Sequence, residues 1–181
     1  ICPYFSPEFK VIPQYIIMKE GECMELNNRT TSFFIFILSG EITISFEQYT
    51  NRSVLENEMF FLPKNNCFKW KAVTQTVLIL TGYNATIFPC TSVRARILYK
   101  IKAGVKFDCR GVVMKDEVKV VVNQMKHYLE SGINCHHMYI LKHKELYLMF
   151  KHFYTYEEII QIFYLILGSN PLFNERVLDN Y

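Results

Sequence analysis

All five histidines of this 181-residue chain (His127, His136, His137, His143 and His152) fall after residue 126, and residues 1–115 contain none. A transition-metal centre needs two or three converging imidazole or carboxylate ligands, so the first two thirds of the chain cannot build a His-based one. Cys135, His136 and His137 are consecutive. Neighbours on a helix project about 100° apart and do not meet at one ion. His136 and His143, seven apart, share a helical face but supply only two ligands, so the histidines read as surface or interface residues. No metal and no cofactor is expected. Six cysteines (Cys2, Cys23, Cys67, Cys90, Cys109 and Cys135) are dispersed without a C-x-x-C pair. That spacing argues against zinc and against a dense disulfide scaffold, and predicts reduced core thiols in a cytoplasmic protein. No G-x-S-x-G elbow or phosphate-cradling glycine loop is present. Glu56 and Glu58 would share one strand face, and they read as turn-flanking acids rather than an acid/base pair. No catalytic residue is assigned, and the chain is read as a non-enzyme. The aromatics differ in kind. Phe34, Phe36, Phe61, Phe68 and Trp70 either fill the inside of a small barrel or line a pocket for one small ligand. They are the candidate ligand-binding residues, and Trp70 is the only tryptophan.

The elements that must position these residues divide at residue 115. Half of the sequence is hydrophobic and 15% is aromatic, with only seven glycines, a composition that folds. Over residues 15–115 the apolar pattern has period two or forms short runs between turn signals. Ile42, Ile44 and Phe46 alternate with polar neighbours after a Ser39-Gly40 hairpin signal. Phe68 and Trp70 alternate with Lys69 and Lys71. Residues 93–102 read as a strand with Arg94, Arg96, Lys100 and Lys102 on its outer face. Seven to nine short strands predict a barrel or sandwich. From Asp116 the period becomes helical. Val118, Val121, Val122, Met125 and Leu129 form one stripe, ended by Ser131-Gly132. Met138, Leu141, Leu148 and Met149 follow on a second helix. A third begins after Thr155, with Glu158 as its capping-box partner, and a last short helix is read over residues 172–180.

The apolar runs at residues 33–38 and 162–167 are too short to span a bilayer, so no membrane association is expected. Net charge is +3, and its sign changes from positive over residues 1–115 to negative over 116–181. An acidic helical end is not an element that grips phosphates. Both helical stripes, Val118, Val121, Val122, Met125 and Leu129 with Met138, Leu141 and Leu148, are candidates for a two-fold interface, because one contact on a barrel cannot hide all their apolar surface. Val120, Ile140, Leu146 and Tyr147 fall outside the stripes and would stay wet without a partner.

At this point the order of motifs matters. The run Phe36-Ile37-Leu38-Ser39-Gly40-Glu41-Ile42, followed by Val54 to Pro63, resembles the cupin-like barrel of AraC-type transcriptional regulators. Asn57 stands where that family usually has glycine, a change compatible with positive φ. Tyr128 to Gly132, Lys144 to Phe150, His152 to Tyr154 and Asn170 to Leu178 resemble the family's helical linker. The resemblance implies a mainly β fold with added α: a cupin-like, jelly-roll-type barrel over 1–115 for ligand sensing, then a helical dimerisation and linker region over 116–181. It also implies a homodimer, an unidentified small-molecule effector, and contact with promoter DNA through a C-terminal helix-turn-helix domain outside this sequence. Two other classes start from similar β-domains. A metal-dependent cupin enzyme needs histidines inside the barrel, and a cyclic-nucleotide sensor needs a phosphate-clamping helix. Here Pro63 is followed by Lys64-Asn65-Asn66-Cys67 and another strand instead.

Overall fold

The computed structural model describes residues 12–83 and 108–167. The strand read at 93–102, the last helix at 172–180, Cys2 and Cys90 lie outside the described residues. Eight strands follow one another with short turns: β1 (Gln14–Met18), β2 (Cys23–Asn28), β3 (Ser32–Ser39), β4 (Glu41–Phe46), β5 (Tyr49–Leu55), β6 (Glu58–Leu62), β7 (Asn66–Ala72) and β8 (Thr76–Tyr83). A two-residue strand, β9 (Val112–Val113), precedes helices α1 (Asp116–Glu130), α2 (His136–Phe153) and α3 (Tyr156–Leu167). The strands form two antiparallel sheets, ordered β1-β8-β3-β6-β9 and β2-β7-β4-β5. Apart from β9, this interleaving of first with last and second with seventh strand is that of an eight-stranded jelly roll, the architecture of cupins.

Alternation fixes what each face does. From the first sheet, Ile35, Ile37, Phe60, Leu62, Leu78 and Leu80 point inward. They meet Ile42, Ile44, Phe46, Phe68, Trp70 and Ala72 of the second sheet in one apolar interior. The other parity of the first sheet is apolar too. Phe34, Phe36, Met59, Phe61 and Ile79 face outward and are covered by the helices. That second burial explains the unbroken run Phe33-Phe34-Ile35-Phe36-Ile37-Leu38, since a strand buried on both sides has no polar face. The molecule is therefore three layers: helices, first sheet, second sheet.

Turns carry the geometry. Asn57 adopts φ 63° between β5 and β6, its N–H donating to Ile37 O (2.9 Å) and its carbonyl accepting from Met114 N (2.7 Å). Asparagine tolerates this left-handed backbone, as the sequence implied. Glu56 is exposed in that turn, whereas Glu58 starts β6 half-buried and accepts the Leu55 N–H at 2.9 Å. They are not a pair on one strand face, because the turn intervenes. The α3 capping box forms as expected: Glu158 N donates to Thr155 Oγ1 (3.2 Å) and Thr155 N to Glu158 Oε2 (2.8 Å). Among the described residues, no helix is long and apolar enough to cross a membrane.

Candidate functional site

The five aromatics expected in one lining divide between two cores. Phe68 and Trp70 lie inside the jelly roll at 0% and 2% exposure. Phe34, Phe36 and Phe61 lie on the far side of the first sheet, beneath the helices. The cause is parity: Phe34 and Phe36 alternate with Ile35 and Ile37, and the isoleucines take the interior. Inside, Phe68 rests 4.7 Å from Phe46, centroid to centroid, and Trp70 Nε1 has no hydrogen-bond partner among the described residues. One thiol, Cys109, belongs to this interior, and burial pushes it up to about 12. Such a thiol is not a nucleophile at neutral pH.

Cys109 alone of the described cysteines meets the expectation of a core thiol. Cys23 and Cys67 are exposed and Cys135 is intermediate. On β7 the cysteine shares the outward parity of Lys69 and Lys71, so alternation sends it to solvent. Cys67 Sγ donates to Glu25 Oε1 at 3.1 Å, which, with some desolvation, raises its pKa.

Between the first sheet and the helices lies a recess of about 20 Å3, lined by Phe34, Leu146, Phe150 and Phe163 with the hydroxyl-bearing Tyr83 and Tyr147 and the imidazole of His143. That is room for about one water. His143 Nε2 lies 2.8 Å from Thr81 Oγ1, while Nδ1 has no partner among the described residues. Burial, and secondarily His136, pushes the His143 pKa down to about 4. His136 is also buried and shifted down, chiefly by desolvation. Two histidines expected at the surface are thus core residues, and their spacing of seven along α2 was the available signal. Among the described residues, no three His, Cys, Asp or Glu side chains gather as a metal ion would require.

Helix α2 carries apolar residues on two faces, and α1 carries one exposed valine outside its buried stripe. Val118, Val121, Val122 and Met125 of α1, expected at a two-fold interface, are instead buried to 2% exposure or less against the sheet, and Leu129 packs beside them. A face committed to the chain's own core is not available to a second chain. On α2 the inward stripe is His136, Tyr139, His143, Leu146 and Phe150, so Leu146, expected to be wet, is buried. Leu141 and Leu148 point away at 63% and 56% exposure, with Val120 of α1 at 56%. Met138, Ile140 and Tyr147 are intermediate. Lys142 Nζ joins the helices through Gln124 Oε1.

No family model matches the chain, and no curated protein sequence does. Solved structures align with parts of it. The cupin domain of Schizosaccharomyces pombe Cnp3 aligns over 46% of this chain and 59% of its own, at 19% identity and a TM-score of 0.40. A conserved protein of unknown function from Streptococcus pyogenes aligns over 40% and 62%, at 19% identity and 0.36. The Drosophila melanogaster CENP-C cupin domain aligns over 40% and 56%, at 10% identity and 0.37. Each alignment covers less than two thirds of the neighbour's own length. Two of the three are cupin domains; these are likenesses of fold and concern no activity.

Proposed function

We propose that this chain is the sensing and dimerisation part of an AraC-type transcriptional regulator. In this reading it is a non-catalytic, cytoplasmic jelly roll whose α1–α2 hairpin pairs with a second copy. A separate helix-turn-helix domain engages promoter DNA, and a small-molecule effector biases the assembly.

The observation that carries this reading is the outward face of the hairpin. Val120, Leu141 and Leu148 are each more than half exposed although the inward stripes of both helices are already filled. Burying an apolar side chain of this size is worth roughly 1.5–3 kcal/mol, and a two-fold contact buries each residue twice. Paired helices would also set two DNA-binding domains at a defined separation, as two half-sites require. The non-catalytic part of the reading is supported by the jelly-roll interior, which Ile35, Ile42, Ile44, Phe68 and Trp70 fill with apolar side chains.

Sedimentation equilibrium tests it. The protein is expected to be a dimer at micromolar concentration, and Leu141→Asp with Leu148→Asp is expected to make it a monomer with an unchanged melting midpoint. Aspartate at Val121 would unfold the chain and test nothing, because Val121 is core. A wild-type monomer at every concentration refutes the reading.

A further inference from the structure

The helices cover the outer face of the first sheet. The outer face of the second, on the opposite side of the molecule, carries a hollow of about 430 Å3. Its floor is a grid set by strand register. Glu25, Lys69 and Ser45 form one row across β2, β7 and β4; Cys23, Lys71 and Thr43 form the next. Asn51 of β5 closes one end. Alternation sends the apolar residues of these strands into the core and leaves this face polar.

The end wall is pre-shaped. The β4–β5 register shifts between Ile44 and Phe46, and Asn51 is held in the left-handed region at φ 50°. Ser45 Oγ accepts the Asn51 N–H at 2.9 Å. Bulges and left-handed residues of this kind concentrate where a surface is being aimed at something.

The charges are available. Lys71 makes no ion pair among the described residues. Lys69 meets Glu25 only at 3.9 Å, with side chains 72% and 58% exposed, a contact of little strength. The two ammonium groups stand on alternate residues of one strand, roughly 7 Å apart at Cα. Glu25 disfavours an anion beside Lys69, so the anionic group belongs against Lys71 and the Thr43 hydroxyl. Ser45 Oγ also donates to Asn51 Oδ1 at 3.4 Å, so Glu25 offers acceptors and the Asn51 amide a donor to hydroxyl groups on the rest of the ligand.

We propose that this hollow, rather than the packed jelly-roll interior, is a binding site for a small hydroxylated anion, held at its charged end by Lys71 and Thr43. The inference rests on the sensing role above only in making this ligand the effector; binding itself is independent of it.

Isothermal titration of the full chain with glycerol phosphate and with glycerate tests the site, with propanediol as the uncharged control. Saturable binding of either anion, weakened at least tenfold by Lys71→Met and several-fold by Thr43→Val but unchanged by Lys64→Met, is the expected result. Binding of only one anion supports the site and identifies phosphate or carboxylate as the recognised group. No saturable binding of either anion, binding that Lys71→Met leaves intact, or propanediol binding as tight as the anions overturns it. The titration is repeated on Leu141→Asp with Leu148→Asp. Because the hollow and the hairpin lie on opposite faces, a failed dimer leaves this result standing, and a failed titration leaves the dimer standing.

Discussion

His143 shows what one buried titratable group does to a small protein. The residue is 8% exposed. Phe34 of β3, Thr81, Gly82 and Tyr83 of β8, and Phe163 of α3 face it, with Leu146, Tyr147 and Phe150 of its own helix. Among the described residues no carboxylate lines the recess; His136, itself titratable, opposes a second charge. The folded protein therefore binds this proton less readily than the unfolded chain, with a pKa of about 4 against 6.5. Stability rises with pH where the unfolded state holds more protons. The contribution is complete above pH 6.5 and lost as pH falls toward 4, amounting to about 3 kcal/mol at full effect. Urea midpoints are expected to fall between pH 6.5 and 4.5, and His143→Gln to flatten that fall. An equal slope in the variant would show that the burden lies on other groups.

At the scale of elements, the chain crosses from the first sheet to the second between β3 and β4, and it turns there on Gly40. It sits at φ 84°, and a Cβ there would meet Gln75 O at 2.4 Å and Thr76 Cα at 2.9 Å. Gly21 and Gly132, also left-handed, have nothing within 4 Å. Gly40→Ala is expected to lower thermal stability far more than Gly21→Ala or Gly132→Ala, which bear only the roughly 1 kcal/mol cost of left-handed backbone; equal melting shifts in all three would refute this. The turn was legible because Ser39-Gly40 interrupts two clear runs, but the expected hairpin is a crossing between sheets: β3 bonds to β6 and β8, and β4 to β5 and β7. The α1 stripe was legible because one face is apolar and the other polar. On α2 apolar residues occupy both faces and two inward positions are histidines, so spacing alone favours the exposed leucines as the main stripe. β3 failed for a related reason: when both parities are apolar, alternation cannot say which aromatics face inward. The polar grid of the second sheet was hidden differently. Its residues come from four strands separated in sequence, and only the register assembles them.

For the whole molecule, the regions 1–115 and 116–181 share a core rather than touching at a border. Phe34, Phe36, Met59, Phe61 and Ile79 belong to the same cluster as Val118, Val122, Tyr139, Phe150 and Phe163. At the seam, Tyr154 OH donates to Val113 O (3.0 Å) and accepts the Lys115 N–H (2.8 Å), and Lys115 Nζ meets Glu158 at 2.8 Å. These contacts tie the strand end, the first helix and the last helix together. The sandwiched position of β3 has a consequence on the time axis. Its backbone protons are hidden behind helices on one side and a second sheet on the other, with β6 and β8 bonded along its edges. Deuterium should reach them only when the whole fold opens, while β5, with five of its seven residues exposed, should label through local fraying. Exchange on β3 as fast as on β5 would mean that the layers part independently. If β3 is the slowest strand to label, the unit that opens is the entire three-layered body.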